Sequence, residues 1–240
     1  MRWLSATGYR TMSLEQLLAT LREGAPTPVR TVVLTFDDGY RSLLLYVTPI
    51  LAELGFQATL FVTTGAVDLL SYETLPGAVG YPLHDPPLSW AELAELQRSG
   101  CWSLQAHGRY HLVHNSLPLS VLWREMAGAA QDLHANLGVR PCHYAYPYGR
   151  YDTRCLILLA RLGYTAACSV HTGLVGAGSD LRRLPRVGVT AHDTLASFQT
   201  KVRTGHAHYT QRLRAKLLDL VFYFSPVKDA LKAIHDCFIY

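Results

Sequence analysis

Several features that would narrow the function early are missing from this sequence. No GxGxxG loop opens a helix, which argues against a dinucleotide cradle of the usual form. No two cysteines stand in CxxC spacing, and the five present, Cys101, Cys142, Cys155, Cys168 and Cys237, cannot all pair within one chain, so they read as buried or incidental thiols. No stretch approaches the roughly 20 consecutive apolar residues of a membrane-spanning helix. Met1–Ser13 also lacks the apolar core of a signal peptide, and the chain as given is expected to be soluble. Strong charge is absent as well: the net charge is +4, with Lys and Arg scattered, which leaves no footprint for nucleic acid.

What is present is enough chain for a barrel-sized core, 240 residues of which 49% are hydrophobic. Strand-like and helix-like segments alternate along it. Ser13 with Gln16 caps a helix carrying Leu14, Leu17, Leu18 and Leu21 on one face. The β-rich run from Thr31 to Phe36 reads as a strand covered on both faces, and a helix from Leu43 to Leu54 follows, closed by Gly55. Further strands are expected at Ala58–Thr63, Trp102–Ala106, His143–Tyr146, Thr165–Val170 and Leu184–Val189. The helices expected between and after them are Trp90–Arg98 behind Ser89, Ser120–Leu137, and Asp152–Leu162. Ser71–Pro87 reads as a Pro/Gly-rich insertion. Alternation of this kind implies a parallel sheet with right-handed crossovers, and about six such units point to an α/β chain forming a closed or nearly closed barrel, with an open doubly wound sheet as the alternative. The catalytic domain is expected over residues 1–200, with a helical appendage over 201–240 whose Leu217–Phe224 is apolar enough to dock.

Three segments stop strands at residues that carry chemistry. The first ends in Asp37, Asp38 and Gly39, two carboxylates at the end of a strand where α/β folds keep their sites. The second is His107-Gly108-Arg109-Tyr110-His111, whose imidazoles four residues apart can reach one ion, with a carboxylate from another strand as third ligand. That oxygen-and-nitrogen set suits zinc first, with cobalt, nickel or manganese behind it. Successive side chains of an extended segment diverge, so if Asp38 joins the histidines, Asp37 is left as a general base. A bound cation lowers the pKa of its water toward about 7, and the base takes the proton as that water attacks a carbonyl. The third segment, Tyr144-Ala145-Tyr146-Pro147-Tyr148-Gly149, is a fixed aromatic turn; its rings suit a sugar, and the Tyr148 backbone N–H suits a developing oxyanion. Each segment alone also fits an ordinary turn or a surface histidine.

In this order, the three segments resemble the motifs of the polysaccharide deacetylases, carbohydrate esterase family 4. Thr35-Phe36-Asp37-Asp38-Gly39 matches the family's first motif unaltered; His107–His111 is similar to its second, and Ala145–Gly149 to its third. Gly55–Val62 and Leu184-Pro185-Arg186-Val187 are also phrases typical of the family. The resemblance covers roughly residues 8 to 200. It implies a distorted (β/α) barrel of about seven parallel strands, Asp37 as catalytic base, and Asp38, His107 and His111 as metal ligands. It further implies Tyr148 as the oxyanion contact, with Tyr146, Pro147 and Gly149 beside the substrate. Gly108 replaces the motif's Ser or Thr, Leu112 its proline, and Ala145 its arginine. The A-Y-P-Y-G form is similar to the branch acting on poly-β-1,6-N-acetylglucosamine, and Arg186 could supply the missing guanidinium. His192, or failing that His171, is the candidate acid for the leaving amine; the tryptophan of the family's late motif has no counterpart, since the last tryptophan is Trp123.

The expected activity is therefore metal-dependent hydrolysis of N-acetyl groups on a GlcNAc-containing polysaccharide. Two alternatives stand beside it: a carbohydrate-binding or scaffold protein that has lost catalysis, and a deacylase of a small amide or acetyl ester. The family implies a cell-envelope or extracytoplasmic setting, and the late start relative to the family suggests an N-terminal truncation or a short member.

Overall fold

The structure is a computed structural model, and it describes residues 1–76 and 85–206. The chain divides into two units, one of Met1–Ser169 with Gly176–Leu184, the other of Val170–Val175 with the residues from Pro185 onward.

The first unit opens with α1 (Arg2–Ala6), β1 (Arg10–Thr11) and α2 (Leu14–Arg22). Ser13 caps α2: its hydroxyl accepts from Gln16 N, and the Gln16 side chain accepts from Ser13 N, while Leu14, Leu17 and Leu18 are buried. β2 (Thr31–Val32) and β3 (Leu34–Asp38) come next, where one strand was expected. The run breaks at Val33 because its partners change: Thr31–Val32 pairs with β1 in a two-stranded parallel sheet, and Leu34–Asp38 pairs with β4 (Ala58–Val62).

Between β3 and β4 the helix begins as a π-turn over Leu43–Val47 and continues as α3 (Thr48–Leu54), ended by Gly55 at φ 61°. Pro49 has no N–H to offer Leu45 O in an α-helical ladder, and the Thr48 hydroxyl donates to Leu43 O at 2.8 Å. The same hydroxyl accepts from Trp102 Nε1 at 2.9 Å, tying this turn to the sheet. Then follow α4 (Trp90–Arg98), capped by Ser89 and Glu92, β5 (Trp102–Ala106), α5 (Leu119–Leu137), β6 (His143–Ala145), α6 (Thr153–Arg161) capped by Asp152, and β7 (Ala166–Cys168). α5 starts at Leu119 behind Pro118, one residue before the expected Ser120, and has no side-chain cap.

Among the described residues the main sheet has five parallel strands in the order β3-β4-β5-β6-β7, not about seven. The strand expected at Leu184–Val189 is reduced to one parallel bridge between Leu184 and Cys168. Leu184 N donates to Ala167 O and Leu184 O accepts from Ser169 N, but the next donor of a parallel ladder, Arg186 N, goes to His171 O, out of register. The run around Phe36 also differs from expectation: every residue of β3 is only partly buried, because β3 is an edge strand, whereas all five residues of β4 are buried on both faces. Strands and helices in this alternation form a curled parallel half-barrel, the architecture of a distorted (β/α) barrel.

In the second unit, α7 (Leu195–Thr204) is capped by Thr194, and Asp193 accepts from Lys201 Nζ at 2.7 Å. Leu217–Phe224 and Cys237 lie outside the described residues, as does part of the Ser71–Pro87 insertion.

Candidate metal centre and its supports

In-register pairing sets Asp38 level with Val62 and Ala106, so β3, β4 and β5 finish together on one rim, and Ala106 pairs in turn with Tyr144. His107 is the first residue past β5. It is buried, and its Nδ1 lies 2.8 Å from the carbonyl oxygen of Ala145 at the end of β6. A carbonyl can only accept, so Nδ1 carries the hydrogen and Nε2 presents a lone pair. Burial holds His107 below the ordinary imidazole range, against the opposing pull of Asp37.

His111 curls back from the following loop so that its Nε2 is 3.2 Å from His107 Nε2. Asp38 Oδ1 is 3.6 Å from the first nitrogen and 3.5 Å from the second. A tetrahedral zinc ion with bonds of about 2.0–2.1 Å spaces its nitrogen and oxygen ligands about 3.3 Å apart. The three edges found here bracket that value closely, so Asp38, His107 and His111 could hold a cation of this size.

Asp37 approaches as well, with Oδ2 3.8 Å from His107 Nε2. The two carboxylates were expected to diverge as neighbours on a strand do. They converge because Asp38 leaves the extended conformation, at φ 71°. His111 at φ 54° and Tyr148 at φ 55° are left-handed too, so each of the three motifs holds a non-glycine residue in a conformation that costs on the order of 1–2 kcal/mol. Strain of this kind persists only where surrounding contacts enforce it, and it gathers at functional sites.

The loop that carries His111 is held mainly from α5. Glu125 is buried among Leu122, Met126 and Ala129, and its carboxylate accepts from Tyr110 N at 3.0 and 3.2 Å. Burial pushes its carboxyl up, and hydrogen bonds from the backbone N–H groups of Tyr110, Leu112 and Arg109 oppose that shift. Two turns along the same face, Asp132 takes a two-point grip from Arg109, Nε at 3.0 Å and Nη2 at 3.1 Å, and also accepts from Thr64 Oγ1 at 2.8 Å. Gly128 lies between them; a Cβ there would stand 2.9 Å from Arg109 Cδ. Gly108, at φ 79°, would put a Cβ 3.2 Å from both Glu125 Oε2 and Tyr144 Oη, which accounts for glycine where the motif has Ser or Thr. His114, buried just beyond the loop, is held by Leu112 O at 2.8 Å and Tyr144 Oη at 2.6 Å.

None of these supports was anticipated from sequence, yet Glu125 left a signal: an acid on the apolar face of an amphipathic helix. Thr63, immediately after β4, was also missed; its hydroxyl is 3.4 Å from Asp38 Oδ1.

In the third segment, the Tyr148 ring meets His111 edge-on at 4.5 Å between centroids. Tyr146 and Pro147 are not open to a ligand. Tyr146 is fully buried, stacked on Tyr151 at 4.6 Å, with its hydroxyl donating to Arg182 O at 2.8 Å, so its ring cannot lie against a sugar. Tyr148 and Gly149 are the partly exposed members of this turn. Arg186, His171 and His192 belong to the second unit, where Arg186 N donates to His171 O at 2.8 Å and His192 is exposed.

The family model for polysaccharide deacetylases matches residues 24–167, more than half of the chain and the stretch that carries all three segments. The chain belongs to the polysaccharide deacetylase family. Among curated members, the chain is 26% identical over 247 residues to the poly-β-1,6-N-acetyl-D-glucosamine N-deacetylase of Escherichia coli K12, covering 92% of this chain. It is 23% identical over 196 residues to the protein of that name from Staphylococcus aureus, covering 78% of this chain. It spans only 37% of the first and 63% of the second. Among solved structures, the deacetylase PplD of Streptococcus pyogenes in complex with acetate superposes with a TM-score of 0.70 at 24% identity, over 85% of this chain and 82% of that one. IcaB from Ammonifex degensii gives 0.69 at 22%, over 85% of each. The fold of the polysaccharide deacetylases is thus the fold found here.

Proposed function

We propose that this polysaccharide deacetylase removes N-acetyl groups from a GlcNAc-containing polymer, with poly-β-1,6-linked chains the first candidate. The reading is carried by one observation: three ligand atoms of Asp38, His107 and His111 converge at 3.2 to 3.6 Å, and a second carboxylate, Asp37, stands 3.8 Å from the same imidazole nitrogen. The two long relatives named for that polymer support the choice of substrate.

A divalent cation, zinc first by ligand type, would be held by Asp38, His107 and His111 and would supply positive charge that acidifies water and offsets charge on a carbonyl oxygen. The remaining work falls to the chain. Asp37 takes a proton from the attacking water as the new carbon–oxygen bond forms. The Ala145 carbonyl keeps His107 in the tautomer that presents Nε2. The Tyr148 backbone N–H donates to the oxyanion, and its ring holds His111 in place. As the carbon–nitrogen bond breaks, acetate leaves and the sugar nitrogen takes the proton that Asp37 received, which returns Asp37 to its ionised form.

The test is acetate release from acetylated β-1,6-linked GlcNAc oligomers by protein stripped of metal and reloaded with zinc or cobalt. Turnover by the loaded wild type is expected, with none after stripping. Equal turnover by wild type and the Asp37→Asn variant, or none by either, defeats the reading.

A further inference from the structure

A second set of unlike donors converges elsewhere in the first unit. Glu15 projects from the first turn of α2, and Cys142 and His143 lie where the chain enters β6. Glu15 Oε1 is 3.2 Å from His143 Nε2, and Cys142 Sγ is 3.5 Å from that same nitrogen. All three ligand atoms lie within 4.8 Å of one another.

Thiol, imidazole and carboxylate could also make a nucleophile relay, but a relay needs the thiol and the acid on opposite ring nitrogens. Here both meet at Nε2, and the other nitrogen is engaged. His143 Nδ1 lies 3.2 Å from Thr165 Oγ1, whose own hydrogen goes to Cys142 O at 3.1 Å. The hydroxyl therefore accepts from Nδ1–H, the outer-sphere bond that a ligating histidine makes.

The other donors are braced in the same way. Glu15 Oε1 accepts from Ser103 Oγ at 3.1 Å and from Gln105 Nε2 at 3.2 Å. The Gln105 carbonyl accepts the backbone N–H groups of Cys142 at 2.9 Å and His143 at 2.8 Å. One glutamine thus fixes the carboxylate against the Cys-His pair. For tetrahedral zinc, with bonds of about 2.0–2.1 Å to nitrogen and oxygen and about 2.3 Å to sulfur, the nitrogen–oxygen edge is about 3.3 Å and the nitrogen–sulfur edge about 3.6 Å. The 3.2 and 3.5 Å found here fit both.

We propose that Glu15, Cys142 and His143 form a second metal site, separate from the Asp38 centre, that takes a divalent transition-metal ion through a thiolate, with zinc the first candidate. A carboxylate and a thiolate together balance the ion's two charges, and thiolate selects against magnesium and calcium. Binding displaces the thiol proton and any proton on Nε2, both released to solvent. Glu15 and Cys142 are partly exposed, so the ion has a way in and a solvent ligand can fill the fourth position.

The test titrates the metal-depleted full chain with cobalt(II) and reads the near-ultraviolet thiolate-to-cobalt charge-transfer band together with the bound stoichiometry. A band of the same full intensity, that of one thiolate-bound cobalt per chain, is expected in wild type and in Asp38→Asn, with two equivalents bound in all by wild type and one by Asp38→Asn. The band is expected to vanish in Cys142→Ser. Glu15→Gln, which leaves the cysteine and the helix intact, should retain the band and weaken cobalt binding by about tenfold or more. Absence of the band in wild type, or its survival in Cys142→Ser, overturns the proposal. So does a Glu15→Gln variant that binds cobalt as wild type does. Because band and stoichiometry are read without turnover, the outcome is independent of whether the Asp38 centre deacetylates.

Discussion

The two donor clusters of the first unit are built in opposite ways. Around Asp38 every motif bends the backbone: Asp38, His111 and Tyr148 are left-handed, and the loop between the histidines hangs from Glu125 and Asp132 of a neighbouring helix. Around His143 the donors sit at ordinary positions, the first turn of α2 and the start of β6, and none of them has positive φ. The difference teaches where each cluster's precision comes from. The first stores strain and needs a support to keep it; the second relies on a regular scaffold and on Gln105 to align its parts.

The largest effect should separate chemistry from binding within the first cluster. Asp37 touches the ligand group only at 3.8 Å, while Asp38 is one of its three corners. Asp37→Asn is therefore expected to lower acetate release by about 10²–10⁴-fold with zinc content unchanged, checked by turnover and metal analysis of one preparation. If zinc is lost together with activity, Asp37 belongs to the binding set and the division of labour between the two acids is wrong.

A smaller effect should appear in acid, on the strained side. Burial drives His114 down to about 3, His107 and His111 adding to the shift while the Leu112 carbonyl and Asp152 oppose it. Unfolded, the ring titrates near 6.5, so between these values the unfolded chain binds the extra proton and stability falls as pH falls. From pH 7 to pH 4.5 this one ring is expected to remove about 2–3 kcal/mol. Urea midpoints across that range should flatten in His114→Gln relative to wild type. Parallel curves for the two proteins would place the acid sensitivity elsewhere.

The comparison also explains what could be read from sequence. β5 was legible to the residue because Gly100 and His107 bracket it, and α2 and α4 were legible because Ser13 with Gln16 and Ser89 with Glu92 write their starts in local chemistry. Asp37, Asp38, His107 and His111 were legible because tight turns force their spacing into short motifs. The break at Val33 was not, since apolar alternation is the same whichever sheet a residue pairs with. Nor was the loss of the strand at Leu184–Val189, where the backbone leaves the ladder after Leu184 and Arg186 N bonds His171 O out of register despite a favourable composition. Glu15 and Gln105 left no local trace of their meeting with Cys142 and His143, because tertiary packing alone brings α2, β5 and β6 together.

Next in size is the support itself. Glu125→Ala removes the charged acceptor for backbone N–H groups of the loop, at a cost of about 1–3 kcal/mol. If the loop is held from α5, zinc affinity at the Asp38 centre should fall by about tenfold or more, while cobalt binding at Cys142 stays as in wild type. A loss of stability with zinc affinity intact would mean that the strained loop keeps its shape without the helix.

The smallest effect is expected at Gly108, and it asks how far the strain is tolerated. An alanine there must adopt φ 79° and bring its Cβ to 3.2 Å from Glu125 Oε2 and Tyr144 Oη. The left-handed conformation costs on the order of 1 kcal/mol, and the two oxygens, each already held by other bonds, have little room to give. Gly108→Ala should thus lower the urea midpoint modestly and shift zinc affinity less than Glu125→Ala does. Gly138, at φ 68° with nothing within 4 Å of a Cβ, is the matching control: its conformational cost is similar, but no contact with the loop is at stake. If Gly138→Ala and Gly108→Ala destabilise equally and neither alters zinc binding, the packing between Gly108 and Glu125 does not help to set the metal centre, and only backbone conformation matters at that position.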